Sequence, residues 1–262
     1  MEKQQRLIDQ IKNTQLKDLP HTILLRGQEG GDHQVIVDEL IQTFSFSVLD
    51  MTENISLETI NDLISSPATR LCTVRMDEVT EKEQNVLLKF LEEPSSNIWI
   101  ILLVTDENSG RVLNTIQNRC VVWELERYFL SDIKKCCDDP IICRYAKTPA
   151  QVTQLKALPL AEMESFAAKV TQSIHKAYFG NCLVITGKLA FKKEDSGYPV
   201  KLFMEMIRDS YKDRYINELD NSFLECYNIM REALSDLAEF PLINKEWFWN
   251  RLMIKLRRAM KT

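Results

Sequence analysis

Short apolar runs alternate with helix-period segments through the first half of the chain, the pattern of a parallel sheet covered by helices. Thr22–Arg26, Phe46–Met51, Leu71–Arg75, Ile98–Val104 and Val121–Leu125 predict five strands. Ahead of them, the charged segment Met1–Lys17 carries Leu7, Ile8, Ile11 and Leu16 at helical spacing, which predicts an amphipathic helix and no secretion signal. Ser56 is placed to cap a helix over Leu57–Ile64. Thr80 with Glu83 reads as a capping box for a helix bearing Val86, Leu87, Phe90 and Leu91, which Pro94 stops.

Beyond Leu130 the strand signal fades. Helical patterns follow, punctuated by Pro140, Pro149, Pro159, Gly180, Gly197–Pro199 and Pro241, with an exposed loop expected over Gly187–Pro199. The expected organisation is an α/β domain over 1–128, a small helical lid over 129–160 and an all-α domain over 161–262. In the last of these Phe223, Cys226, Tyr227, Ile229, Met230, Ala233, Leu234 and Leu237 recur at helical spacing, as a bundle helix requires. The basic end, Arg251, Lys255, Arg257, Arg258 and Lys261 after Trp247 and Trp249, fits a solvated face or a DNA contact.

Composition narrows the class only a little. With 262 residues, 45% hydrophobic and 27% charged, the chain is long enough for a sizeable core. A net charge of −5 removes a whole-molecule attraction for nucleic acid, so any DNA contact must be local. The seven cysteines contain no CxxC pair and only three histidines accompany them, which favours reduced thiols in a cytoplasm over disulfides or a zinc site. The longest apolar run, Ile98–Val104, is too short to span a bilayer.

The candidate chemistry lies between the first strand and the helix after it. His21 to Gln34 runs strand, glycine-rich turn, helix, the context of a phosphate-binding loop. Of the specifying positions in GxxxxGK[ST] only Gly27 is present; Asp32, His33 and Gln34 stand where the second glycine, the lysine and the hydroxyl residue belong, and Gly30 and Gly31 lie inside the turn. The lysine would neutralise phosphate, the hydroxyl would ligate magnesium, and the glycine would let backbone amides approach the anion. Glu29 and Asp32 add negative charge at the helix N-terminus instead. Weak or absent ATP binding follows, with no cofactor and no metal expected. Taken alone, the segment also fits a plain strand–turn–helix connection with His33 exposed or capping.

The segment Val74 to Pro94, with Asn85, Leu87–Leu88–Lys89 and Leu91–Glu92–Glu93–Pro94, then a strand and Asn118–Arg119–Cys120, resembles bacterial clamp-loader subunits of the AAA+ class. Those carry a stretch of the form NALLKxLEEP and, after a strand, Ser-Arg-Cys; the likeness covers roughly residues 1–150. Two alignments of the strand-end acid compete. One takes Asp77–Glu78 as the acidic pair; the ungapped one, preferred because it needs no deletion in the next helix, puts Val74 and Arg75 there.

Among clamp-loader subunits, those that lose the phosphate loop yet keep the arginine are of the delta-prime type in DNA polymerase III. The resemblance implies a rigid, non-hydrolysing member of a hetero-pentameric ring, without catalysis of its own, inside a DNA-directed DNA polymerase complex. Implied partners are the ATPase subunits of gamma/tau type and the delta subunit, with the sliding clamp and primed DNA met through the complex. Arg119 is the matching residue for an arginine inserted into a neighbour's ATP site, although Asn118 replaces the usual serine. The four-cysteine zinc module common in that type is missing between Phe44 and Asp50. Ala146–Gln151 is similar to the lid motif that holds a phosphate-sensing arginine, with Gln151 at its position. Two other functions fit the residues: an adaptor in another DNA-associated assembly, such as a mobile element's or phage's replication apparatus, and a weak self-sufficient NTPase using His33.

Overall fold

The computed structural model describes residues 3–92, 95–176, 188–192, 197–240 and 243–260. The stop expected at Pro94, the punctuation at Gly180 and Pro241, residues 187 and 193–196 of the loop expected over Gly187–Pro199, and Lys261 lie outside them. The chain divides into two compact units, Met1–Cys136 with Lys147–Gln151, and Cys137–Ala146 with Val152–Thr262.

The first unit is a five-stranded, all-parallel sheet with helices on both faces. Its strands are β1 (Thr22–Gly27), β2 (Ser47–Asp50), β3 (Arg70–Arg75), β4 (Ile98–Thr105) and β5 (Val121–Glu124), in the order β2-β3-β4-β1-β5. Strand alternation feeds two cores. Leu24, Cys72, Val74, Ile100 and Leu102 face one side, where they pack with Ile60, Leu63, Leu87, Phe90 and Leu91 from helices α3 (Leu57–Ile64) and α4 (Glu81–Glu92). Ile23, Leu25, Leu71, Trp99 and Ile101 face the other, against Ile8 and Ile11 of α1 (Gln5–Asn13) and Ile36, Val37 and Leu40 of α2 (His33–Phe44). Residues 98–102 of β4 are buried on both faces, which is why that segment reads as an unbroken apolar run.

The local signals act as expected where they are described. Ser56 Oγ accepts from the Thr59 amide at 3.1 Å at the start of α3. In the capping box, Glu83 Oε2 accepts from the Thr80 amide at 2.8 Å and the Thr80 hydroxyl at 2.7 Å, and Thr80 Oγ1 lies 3.4 Å from the Glu83 amide. The amphipathic N-terminal helix is shorter than 1–17: it ends at Asn13, because Thr14 turns into extended backbone before a short 3₁₀ turn over Leu16–Asp18. Further along come the one-turn helix α5 (Asn114–Gln117) and α6 (Leu130–Cys136).

Among its described residues the second unit is helical, with one two-residue parallel ladder, Leu189–Ala190 against Tyr198–Pro199, where only a loop was expected. Asp139 caps α7 (Pro140–Tyr145), whose proline sits where a missing N–H costs nothing. The unit boundary falls within α8 (Pro149–Lys156). Among the described residues, the further helices are α9 (Leu160–Lys176), Val200–Glu218, Asn221–Glu239 and Lys245–Ala259. Of the positions whose spacing predicts a bundle helix, Phe223, Cys226, Met230, Ala233 and Leu237 are buried and Tyr227, Ile229 and Leu234 half-buried; Phe203, Ile207, Tyr211, Trp249 and Leu256 are buried in the same unit. No helix among the described residues is long and apolar enough to cross a membrane.

Candidate functional site

In an open parallel sheet, ligands meet the carboxyl ends of the strands where the chain reverses its direction across the sheet. Here that point is the end of β1, flanked by β4 and β5, and it leads into the glycine-rich turn and α2. Gly27 closes β1 against Leu125: a Cβ there would stand 2.8 Å from Leu125 Cδ1. The Gly31 amide donates to Gln28 O at 2.9 Å, closing a turn whose third residue, Gly30, has φ +71°. That conformation needs glycine, and the closing bond consumes an amide that a phosphate cradle would point at its ligand.

The rest of the loop is held by the protein itself. The Thr148 hydroxyl donates to Gly30 O at 2.7 Å, and Gln151 Nε2 donates to Glu29 O at 3.1 Å. Gln151 is fixed in turn, because its Oε1 accepts from the Lys147 amide at 2.7 Å. Thus the residue singled out as replacing a phosphate-sensing arginine instead bonds the loop backbone. Asp32, at the N-terminus of α2, does not cap the helix with its side chain. Its carboxylate accepts from Tyr128 Oη at 2.6 Å and Gln4 Nε2 at 3.0 Å. Burial, with the adjacent Asp32, pushes the Tyr128 phenol well above its ordinary range, so it stays a donor.

Two further glutamine contacts strap the loop. Gln4, almost fully buried, accepts from the Glu126 amide at 2.9 Å and donates to Glu126 O at 3.0 Å. Gln28 does the same to Tyr128, at 2.6 and 3.2 Å. Gln84 repeats the device inside α4, donating to Arg111 O at 3.2 Å and accepting from the Leu113 amide at 3.0 Å. Sequence reasoning missed Gln4, Gln28, Tyr128 and Thr148, since polarity patterns do not reveal a side-chain amide pairing with distant backbone.

His33, at the lysine position, has Nε2 3.1 Å from Val104 O, and Gln34 donates to Asp38 Oδ1 at 2.8 Å. Neither offers a permanent cation or a hydroxyl. Of the strand-end residues, Val74 is buried in the core and Arg75 lies 3.9 Å from Glu78 in an exposed ion pair. Asp77, in the short turn Met76–Glu78 after β3, accepts from the Thr105 amide at 3.3 Å and hydroxyl at 3.1 Å. Burial pushes its pKa up, against the opposing pull of Thr105, Asn108 and nearby His33. An acid beyond the carboxyl end of β3 thus faces a histidine, with no hydroxyl at position 34 to share a metal.

Arg119 lies away from this loop, between α5 and β5. Its guanidinium spans two acceptors, Glu92 Oε1 at 2.6 Å from Nη2 and Thr115 O at 2.7 Å from Nη1. Its own carbonyl accepts from the Thr22 hydroxyl at 2.6 Å. The side chain remains 34% exposed. Beside it β5 forms the sheet edge, and Val121 and Val122 are 48% and 41% exposed, an apolar pair next to a cation at the surface. The Leu91–Glu92 and Asn118–Arg119–Cys120 segments, distant in sequence, therefore meet in space.

Residues 50–128 match a family model described as DNA polymerase III, delta subunit. The match spans α4 and Arg119 and begins after the glycine-rich loop. No curated protein matches the chain. Among solved structures, a DNA polymerase III gamma subunit-related protein of Thermotoga maritima is similar, with 14% identity over 99% of this chain and 100% of that one, at a TM-score of 0.49. A point variant of Thermotoga maritima RuvB shares 11% identity over 80% of this chain and 76% of that one, at a TM-score of 0.46. Residues 50–128 of this chain, which include α4 and Arg119, are thus similar to a DNA polymerase III subunit family, and the α/β unit that holds them is a five-stranded parallel sheet.

Proposed function

We propose that this chain is a non-hydrolysing clamp-loader subunit of the delta-prime type, which completes an ATPase ring and presents Arg119 to the nucleotide of a neighbouring subunit. One observation carries the proposal. The glycine-rich loop is bonded by Thr148 and Gln151 from its own chain, while Arg119 stands fixed at the surface beside an exposed edge strand.

A bound phosphate needs a cation and free amides at the loop. This loop supplies a carboxylate at Asp32, an imidazole turned to Val104 O, and a turn closed on itself. Such residues do not fit a nucleotide. An arginine presented across an interface, in contrast, stabilises charge that develops on a transferred phosphoryl group. In this proposal the chain has no catalysis of its own; its partners are the motor ATPase subunits, the delta subunit and, through the complex, the sliding clamp and primed DNA.

The test mixes the full chain with the ATPase subunit of its host's replication complex and measures DNA-stimulated ATP hydrolysis. Arg119→Ala lowers the rate if the proposal holds; an unchanged rate refutes the trans role. Calorimetry on the isolated chain adds a second check. Micromolar ATP binding would revive a self-sufficient NTPase, and recovery of only non-replicative partners would favour an adaptor of another DNA-associated assembly.

A further inference from the structure

We infer that Glu92 is a positioning residue for Arg119, holding the guanidinium in the orientation in which it meets the neighbour's phosphates. The inference rests on the trans role proposed above.

An arginine side chain left in solvent samples many rotamers, and a donor that must reach a developing charge loses effectiveness with each unproductive one. Arg119 is restrained at three points contributed by three elements. Glu92 comes from the last residue of α4, Thr115 from α5, and Thr22 from the first residue of β1. The Thr22 bond fixes the backbone that carries the side chain. Thr115 O lies one turn back on the same segment and alone would leave the guanidinium free to pivot; Glu92, 27 residues earlier in sequence, supplies the second side-chain anchor.

The arrangement leaves donors to spare. A guanidinium has five N–H groups in a rigid fork, and these two bonds use one on each terminal nitrogen. Nε–H and one N–H on each Nη remain for a phosphoryl oxygen. A stability role does not account for the pair: Glu92 is itself 52% exposed, and exposed ion pairs contribute little to folding. The carboxylate also subtracts from the positive charge offered to a phosphate, which works against attraction and favours orientation as its use.

The experiment compares wild type, R119A, E92A, E92Q and the double variant R119A/E92A in the complex assembled with the host ATPase subunit, using ATP and primed DNA. The part of kcat that depends on Arg119, the difference between wild type and R119A, is expected to fall about tenfold in E92A with KM for ATP unchanged. E92Q keeps an acceptor oxygen at the same place and recovers much of the rate. The double variant matches R119A, and the isolated E92A chain unfolds at the wild-type urea concentration. If R119A is impaired while E92A runs at or above the wild-type rate, the positioning role is wrong and the trans role stands. If R119A runs at the wild-type rate, both fall. A slow E92A that also unfolds early and is not rescued in E92Q marks a merely structural residue.

Discussion

Gly30→Ala probes whether the glycine-rich turn and residues 147–151 form one locked structure. At φ +71° an alanine costs about 1–2 kcal/mol relative to an allowed conformation. Its Cβ would also stand 2.9 Å from Gln151 Cγ, too close to keep, so the Gln151 side chain must leave. Leaving breaks its bonds to Glu29 O and from the Lys147 amide, each worth about 0.5–1.5 kcal/mol net. The sum is about 2–5 kcal/mol for Gly30→Ala in the wild-type background. In a Gln151→Ala background those bonds are already gone and only the backbone cost remains, so the same substitution should cost about 1–2 kcal/mol. Native-state hydrogen exchange of the β1 and β4 amides reports opening of this unit, and the cycle of four proteins gives the coupling. A cost below about 0.5 kcal/mol, or an equal cost in both backgrounds, refutes the lock.

Other outcomes follow from the same structure. Leu219, 75% exposed at φ +55° after the Val200–Glu218 helix, should gain about 0.5–1 kcal/mol on replacement by glycine, seen as a raised urea midpoint; no gain would mean the strain is absent. Asp77 has a folded pKa raised by burial, so the folded state holds its proton more tightly than the unfolded chain and stability is lost as pH rises through the raised value. Asp77→Asn, which keeps an acceptor for Thr105, should therefore gain stability relative to wild type as pH rises above the ordinary carboxylate range; a gain that grows instead toward acid would contradict this. Burial pushes the Cys72 and Cys120 thiols up to about 11 and Cys226 up to about 12. Iodoacetamide at about pH 7.5 should label exposed Cys136 ahead of these three, as peptide mapping by mass spectrometry would show. Thr80→Ala removes one side of the capping box of α4 and should cost about 1 kcal/mol in the urea midpoint; an unchanged value would argue against the box.

Much of the α/β unit was legible because each strand is buried on both faces or at an edge in a way hydropathy records. β4 reads as a long apolar run since neither face meets water, and the Thr80–Glu83 box is local enough to be seen in four residues. The loop was legible as a loop but not as a lock. Its partners arrive from residues 4, 128, 148 and 151, and nothing in the spacing of Gly27, Gly30 and Gly31 reveals which side chains will reach them. The acid question shows the same limit. An ungapped comparison favours Val74, which is buried in the core, while the polar carboxyl beyond the end of β3 is Asp77, carried there by a one-turn 3₁₀ segment that has no sequence period to detect. Glu92 was visible as part of a motif, but its partnership with Arg119 exists only once α4 and α5 are packed.

Gln4, Gln28 and Gln84, each clasping one short stretch of backbone, have a consequence for how the chain ages and mutates. Each side-chain amide acts as a spare peptide group, one N–H and one C=O laid against a segment that has no strand beside it. Glutamate is nearly the same shape but keeps only the accepting half, and at neutral pH its charge would face the carbonyls of Glu126, Tyr128 or Arg111. Hydrolysis of a single amide at position 4 or 28 would thus turn a splint into a wedge and open the loop from its flank, and at position 84 it would part α4 from residues 111–113, damage too small to alter the chain's size.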